Sequence, residues 1–140
     1  MPSAALVCRA AVVTITIMRI LVAEDEDVLS RVLKEKLEKA NHEVLLVADG
    51  DAVLPEAKRS KPDVIVLDLL LPKKIGFEVL EALKGDDELK AIPVVVVSNL
   101  GEESDKKRAF ALGAVDYYVK SEHPINEIVE NVKRVLLKAK

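Results

Sequence analysis

The chain has 140 residues, and its 21 Lys and Arg against 24 Asp and Glu give a formal net charge of −3. This length fits a single domain, and the nearly balanced charge argues against a protein that binds nucleic acid through bulk charge. Four residues are aromatic, which argues against base or sugar stacking as the main activity. The single cysteine, Cys8, excludes an internal disulfide and is typical of a reducing compartment, so we expect a cytoplasmic protein.

An apolar segment, residues 4–17, precedes the first predicted strand. It is interrupted by Arg9, its length of about 14 residues is short of the roughly 20 that span a membrane, and it lacks the basic start of a secretory signal. We therefore interpret residues 1–17 as a loosely ordered extension, or as the result of a translation start assigned upstream of Met18, and we expect no membrane anchor. The domain itself is predicted over residues 18–138.

Five apolar runs of strand length follow along the chain, and each is rich in β-branched residues. Three of them are apolar without alternation, which is typical of strands that helices cover on both faces of a parallel sheet. The runs are Arg19–Ala23, Glu43–Val47, Val64–Leu67, Val94–Val97 and Val115–Val119.

Apolar residues at helical spacing separate these runs, most clearly in segments 28–37, 77–83 and 125–136. Gly113 is placed as a helix-ending glycine, whereas Pro55 predicts that the second helix begins close to it or bends there. Strands and helices therefore alternate along the chain. This order predicts one α/β domain, an open parallel sheet of five strands with five helices on its two faces.

Polar residues stand at the carboxyl ends of the predicted strands, where parallel sheets carry their functional sites. Glu24, Asp25 and Glu26 follow the first strand, and Asp68 follows the third. Carboxylates that converge at one edge of a sheet repel one another and raise a pKa unless a cation intervenes. Because the ligands would all be oxygen atoms, they favour a hard cation, and Mg²⁺ suits a site of two or three carboxylates.

Ser98 and Lys120 end the fourth and fifth strands at the same edge of the sheet. A lysine opposite carboxylates has little use at a simple metal site, but it can pair with an anionic group that shares the pocket. A serine hydroxyl can donate a hydrogen bond to an oxygen of such a group. The residues therefore predict a Mg²⁺-dependent phosphoryl site with a carboxylate nucleophile.

These strand ends belong to four motifs: ILVAEDE at 20–26, VIVLDLLLP at 64–72 with Gly76, VSN at 97–99 and DYYVK at 116–120. In this order they resemble the response regulator receiver domains of two-component signalling, the CheY-like family. The resemblance covers about residues 18–138, and the separations of 43 residues from Asp25 to Asp68, 30 to Ser98 and 22 to Lys120 are typical of the family. It implies a doubly wound, flavodoxin-like fold with the strand order 2-1-3-4-5.

The resemblance also implies a role for each site residue. Asp68 would accept a phosphoryl group, Lys120 would pair with the phosphoryl oxygens, and Ser98 would hydrogen-bond them. Tyr117 would be the aromatic switch residue that turns inward when Ser98 moves toward the phosphate. Mg²⁺ would be held by the side chains of Glu24, Asp25 and Asp68 and by the backbone carbonyl of Leu70.

The partners implied are a sensor histidine kinase or histidine phosphotransfer protein as phosphoryl donor and a downstream protein as target. In the family the target binds the face of the fourth helix, fifth strand and fifth helix, here about residues 102–112, 115–119 and 125–138. Because Ala139 and Lys140 alone follow the last predicted helix, we expect a stand-alone receiver without direct nucleic-acid contact. It would be no conventional enzyme, but a phosphoacceptor that assists its own phosphorylation and slow dephosphorylation.

Two features depart from the family pattern. Ser121 follows Lys120 where proline with a cis peptide is usual, and a cis bond before another residue costs roughly 2.5–4 kcal/mol, so the reach of Lys120 is in question. Leu70 and Leu100 stand two residues beyond Asp68 and Ser98, where polar side chains in some relatives position attacking water. We therefore predict an aspartyl phosphate that hydrolyses slowly.

Other functions compete with this interpretation. Phosphatases of the haloacid dehalogenase type and Toprim-type nucleic-acid enzymes need a second carboxylate two residues after the first, and Leu70 occupies that position. A receiver fold that binds partners without being phosphorylated stays open as the alternative. Taken singly, Asp68 and Ser98 could also be turn or capping residues, and Tyr117 could be a packing residue.

Overall fold

The computed structural model describes residues 17–138, so nearly all of the predicted extension lies outside the described residues. Strands and helices alternate as predicted, and none of the helices between these limits is both long enough and apolar enough to span a bilayer. The elements are β1 (Arg19–Ala23), α1 (Asp27–Lys39), β2 (Glu43–Val47), α2 (Val53–Ser60), β3 (Val64–Leu67), α3 (Gly76–Lys84), β4 (Val94–Ser98), α4 (Glu103–Ala111), β5 (Asp116–Val119) and α5 (Ile125–Lys138).

The strand bounds agree with the sequence prediction to within one residue. β4 continues through Ser98, and β5 begins at Asp116 instead of Val115. Pro55 is the third residue of α2, after a 3-10 turn over Gly50–Ala52. In the first turn of a helix the missing N–H of proline costs nothing, because that donor has no partner within the helix. The prediction that α2 begins close to Pro55 is confirmed.

The five strands form one parallel sheet in the order β2-β1-β3-β4-β5. The register aligns Ala23 with Leu67 across the β1–β3 pair. The backbone N–H of Asp68 continues this pairing by donating to the carbonyl of Ala23 at 3.0 Å. The residues that follow β1 and β3 are therefore neighbours at the carboxyl edge of the sheet, and the expected fold class is confirmed.

The core consists of two apolar layers, one on each face of the sheet. Side chains alternate along the strands, so Leu21 and Ile65 face one layer while Ile20 and Val64 face the other, all with no exposed surface. Helices α2, α3 and α4 cover the first layer, and α1 and α5 cover the second. Each fully buried Leu, Ile or Val stabilises the fold by about 1.5–3 kcal/mol. This two-sided burial holds the strand ends, and the site upon them, in fixed positions.

Candidate functional site

Three carboxylates converge at the carboxyl edge of the sheet. Glu24 and Asp68 are buried, with 5% and 3% of their surface exposed, whereas Asp25 is exposed. Each offers a carboxylate oxygen, and these oxygens lie within 4.8 Å of one another. The sequence expectation that the ends of β1 and β3 bring these side chains together therefore agrees with the structure.

Local backbone contacts fix the two buried carboxylates. Oδ1 of Asp68 accepts a hydrogen bond from the backbone N–H of Leu70 at 2.9 Å, and Oε2 of Glu24 accepts one from the N–H of Glu26 at 3.0 Å. Gly76 closes the loop after β3 by donating to the carbonyl of Leu69 at 2.9 Å. A Cβ atom on Gly76 would lie 2.4 Å from the Cα of Leu69, so this approach requires glycine.

Lys120 reaches both buried carboxylates. Its Nζ lies 2.9 Å from Oδ2 of Asp68 and 3.0 Å from Oε2 of Glu24, and it also donates to Oε1 of Glu26. The described residues contain no cis peptide bond, so the bond between Lys120 and Ser121 is trans. The doubt that Ser121 raised about the reach of the lysine is therefore removed.

The electrostatics of the cluster follow from burial and from the excess of carboxylates. The pKa of Glu24 is raised to about 7, first by burial and then by the charge of Asp68, against the opposing effect of Lys120. Burial alone would lower the pKa of Lys120, but hydrogen bonds to Glu26, Asp68 and Glu24 outweigh it and hold that pKa above its usual range. One ammonium thus faces several carboxylates, and the site has a deficit of positive charge that a divalent cation would meet.

Ser98 and Tyr117 meet at the backbone of Leu100. Ser98 is fully buried at the end of β4, and its Oγ accepts a hydrogen bond from the N–H of Leu100 at 3.4 Å. The Tyr117 ring is buried, and its hydroxyl donates to the carbonyl of Leu100 at 2.6 Å. Burial raises the pKa of this phenol to about 12, so it stays a donor at neutral pH. The loop after β4 is therefore held between the serine and the tyrosine.

Sequence reasoning missed the role of Glu26. The sequence places Glu26 beside Glu24 and Asp25 as an acidic residue at the end of a strand, and it predicts no partner for this side chain. The structure pairs it with Lys120, which comes from the opposite end of the chain. A third acidic residue directly after β1 was the available signal, but the sequence could not show toward which partner that side chain turns.

Comparison with known proteins agrees with the fold. The model of the response regulator receiver domain matches residues 20–133. The alkaline phosphatase synthesis transcriptional regulatory protein PhoP of Bacillus subtilis is 36% identical over 118 residues, which are 84% of this chain and 48% of PhoP. The chain thus spans about half the length of curated relatives such as PhoP.

Two solved structures are similar over most of both chains. The phosphorylated cyanobacterial phytochrome response regulator RcpA is 34% identical with a TM-score of 0.79, covering 89% of this chain and 97% of RcpA. The Mn(2+)-bound form of response regulator Rcp1 is 32% identical with a TM-score of 0.75, covering 83% of this chain and 91% of Rcp1. The family match, the strand order and these neighbours lead to one conclusion: the chain belongs to the response regulator receiver domains, the CheY-like signalling domains of two-component systems.

Proposed function

We propose that this receiver accepts a phosphoryl group on Asp68 from a histidine kinase or a histidine phosphotransfer protein. The observation that carries the proposal is the setting of the Asp68 carboxylate. It is buried, it has the Lys120 ammonium 2.9 Å from one oxygen, and the carboxylates of Glu24 and Asp25 lie within 4.8 Å of it. The phosphorylated state of the similar RcpA supports the same reaction here.

In the transfer step an Asp68 carboxylate oxygen attacks the phosphorus of a phosphohistidine. The new O–P bond forms as the P–N bond breaks, and the imidazole leaves with the bonding electron pair. Lys120 would donate hydrogen bonds to the phosphoryl oxygens and offset their negative charge. The backbone N–H of Leu70 holds the other Asp68 oxygen at 2.9 Å, which orients the carboxylate for attack.

The residues at the site fit Mg²⁺. The ligands are all oxygen atoms, which hard cations prefer: the carboxylates of Glu24, Asp25 and Asp68. The backbone carbonyl of Leu70 would be the fourth ligand from the protein. Burial and the neighbouring charge of Asp68 raise the pKa of Glu24, and a bound divalent ion would offset both effects. When bound, Mg²⁺ supplies positive charge that offsets the carboxylates and the phosphoryl oxygens. The Mn(2+)-bound form of the similar Rcp1 supports binding of a divalent ion by this receiver.

The switch we propose uses Ser98, Tyr117 and the loop between them. A phosphoryl group adds about −1.5 to −2 charges, and the Ser98 hydroxyl would turn toward it. Because Ser98 and Tyr117 both bond to Leu100, a shift of the serine changes the position of this loop and of the tyrosine. The signal would thereby pass from Asp68 to helix α4.

The output face we propose consists of α4, β5 and α5. Ala109 is the one fully buried residue of α4. Because little apolar contact holds this helix, a shift of α4 costs little free energy. Phe110 of α4 is a partly exposed apolar side chain, with 47% of its surface exposed. A partly exposed apolar side chain on a weakly held helix suits a downstream protein that binds one of two conformations.

Beryllofluoride with Mg²⁺ tests the proposal, because it mimics an aspartyl phosphate. We expect ¹H–¹⁵N NMR shifts in the loops around Asp68, at Leu100 and along α4, and we expect Asp68→Asn to abolish them. Transfer of ³²P from a histidine kinase to the parent, but not to Asp68→Asn, would identify the acceptor. A parent that shows neither response would be a receiver fold that binds its partners without phosphorylation, and the proposal would be wrong.

A further inference from the structure

The Lys120 ammonium has three N–H donors, and three carboxylates surround it. Oδ2 of Asp68 lies at 2.9 Å, Oε2 of Glu24 lies at 3.0 Å, and Oε1 of Glu26 accepts the third hydrogen bond. All the donors of the ammonium are therefore in use. To bond a phosphoryl oxygen, Lys120 has to give up at least one of these partners.

Glu26 differs from the other two partners of the lysine. Glu24 and Asp68 belong to the buried cluster that would hold Mg²⁺, so a bound ion would share their charge. Glu26 lies outside that cluster, and 54% of its side chain is exposed. When the ion is bound, Glu26 is therefore the carboxylate that keeps its full attraction for Lys120.

The position of Glu26 in the fold supports a specific contact with the lysine. Glu26 is the N-cap residue of α1, where a short side chain normally accepts a hydrogen bond from the first turn of the helix. Its carboxylate makes no such bond, and it points to Lys120 at the end of β5 instead. The side chain is thus committed to the lysine and not to its own helix.

We propose that Glu26 restrains Lys120 in the resting receiver, as a positioning residue that competes with the phosphoryl group for the ammonium. This inference rests on the proposed function of Asp68. The phosphoryl oxygens have to compete with Glu26 for the Lys120 ammonium, so the Glu26–Lys120 pair opposes phosphorylation and shortens the activated state. Glu26 therefore sets how readily the receiver is switched on, without touching the reacting atoms.

The test is the affinity of the Mg²⁺-loaded chain for beryllofluoride, measured by ¹H–¹⁵N NMR titration of the parent and of Glu26→Gln. Glutamine keeps the length of the side chain and removes its charge. We expect binding two- to fivefold tighter in the variant, about the range that a half-exposed ion pair supports. Glu26 is exposed and does not cap α1, so the variant is expected to keep the stability of the parent.

Asp27→Asn is the matched control, because it removes the same charge one residue further along. Asp27 is exposed in the first turn of α1, where its backbone carbonyl accepts hydrogen bonds from Oγ of Ser30 and Nε of Arg31. Its variant should bind beryllofluoride as the parent does. If Asp27→Asn and Glu26→Gln raised the affinity for beryllofluoride equally, the effect would come from the general negative charge near the site. That result would overturn the inference.

A double-mutant cycle with Lys120→Met identifies the route of the effect. Glu26→Gln should not change the affinity for beryllofluoride in the Lys120→Met background, because the partner of Glu26 is absent there. The ¹⁵N signal of the Lys120 ammonium gives a readout in the absence of beryllofluoride, since its hydrogens should exchange faster with water in Glu26→Gln.

The outcomes separate this inference from the function on which it rests. If beryllofluoride does not bind the parent, the proposed function fails and this inference fails with it. If it binds the parent and Glu26→Gln equally, this inference alone is wrong. An effect of Glu26→Gln that persists in the Lys120→Met background would also overturn it.

Discussion

The Nζ atom of Lys120 lies 2.9 Å from Oδ2 of Asp68, and this contact joins the carboxyl ends of β5 and β3 across the intervening β4. It forms although serine follows the lysine and the described residues contain no cis peptide bond. The backbone N–H of Lys120 donates to the carbonyl of Ser98 at 2.9 Å, so the end of β5 stays paired with β4. Strand pairing directs this lysine into the site, and a proline after it is not required.

The first prediction concerns the pH dependence of stability. The pKa of Glu24 is raised from 4.5 in the unfolded chain to about 7 in the folded one, mainly by burial and then by Asp68. Glu24 therefore contributes stability that is present below about pH 4.5 and is lost as the pH rises through 7, on the order of 3 kcal/mol in total. Without Mg²⁺, urea unfolding should show a free energy of unfolding that falls between pH 5 and pH 8.

Two variants and the metal serve as controls for this slope. Glu24→Gln removes the titrating group and should flatten the curve, and Asp68→Asn should reduce the slope because one cause of the raised pKa is gone. Mg²⁺ in excess should restore stability at pH 8 in the parent, and its affinity should weaken below pH 7 as Glu24 takes up a proton. Parallel curves for the parent and Glu24→Gln would contradict the assignment.

The second prediction concerns the loop that carries Asp68. A Cβ atom on residue 76 would lie 2.4 Å from the Cα of Leu69 and 2.8 Å from the carbonyl oxygen of Asp68. Gly76→Ala should therefore displace the loop, lower the free energy of unfolding by about 1–3 kcal/mol and weaken Mg²⁺ binding. Gly85→Ala is the matched control, since the nearest atom to its Cβ is the carbonyl oxygen of Glu81 at 3.3 Å. Equal losses in the two variants would contradict the close approach at Gly76.

The sequence was sufficient for the fold class because its two periodicities, that of the strands and that of the helices, are strong and agree with each other. The continuous apolar runs at Val64–Leu67 and Val94–Val97 require burial on both faces, and the alternation of strands with helices then leaves a parallel sheet. The strand order came from the family resemblance, because local pattern does not determine which strands are neighbours. The convergence of Glu24 and Asp68 followed once β1 and β3 were placed side by side.

The sequence does not predict in which direction the side chains of the site point. Three acidic residues follow one another here, and the sequence does not distinguish them. In the structure Glu24 is buried, Asp25 is exposed and Glu26 pairs with Lys120. These differences arise from tertiary contacts, above all with Lys120, which donates to Glu24 and Glu26 from the end of β5. The contact of Tyr117 with Leu100 likewise depends on the path of the loop after β4, which no short motif encodes.

The third prediction concerns the lifetime of the phosphorylated state. Leu70 is 50% exposed next to Asp68, and it cannot orient a water molecule toward the phosphorus. Leu70→Gln would place an amide there and should shorten the half-life of the aspartyl phosphate roughly tenfold, about 1.4 kcal/mol in activation free energy. Loss of ³²P from the purified phosphoprotein measures this rate. Ile75→Gln, at a similarly exposed apolar position of the same loop, should leave the half-life unchanged. A parent half-life of seconds that Leu70→Gln does not alter would refute the prediction.

The last prediction concerns the link between the site and α4. The hydroxyl of Tyr117 donates to the carbonyl of Leu100 at 2.6 Å in a buried setting, so Tyr117→Phe leaves that carbonyl without its partner and should cost about 1–3 kcal/mol. Amide hydrogens from Leu100 to the start of α4 should then exchange faster. Tyr118→Phe removes a hydroxyl bonded to Asp116 on the other face of β5, so it should lower stability without loosening this loop. Unchanged exchange at Leu100 in Tyr117→Phe would show that the tyrosine does not hold the loop, and the proposed switch would lose its connection to the output face.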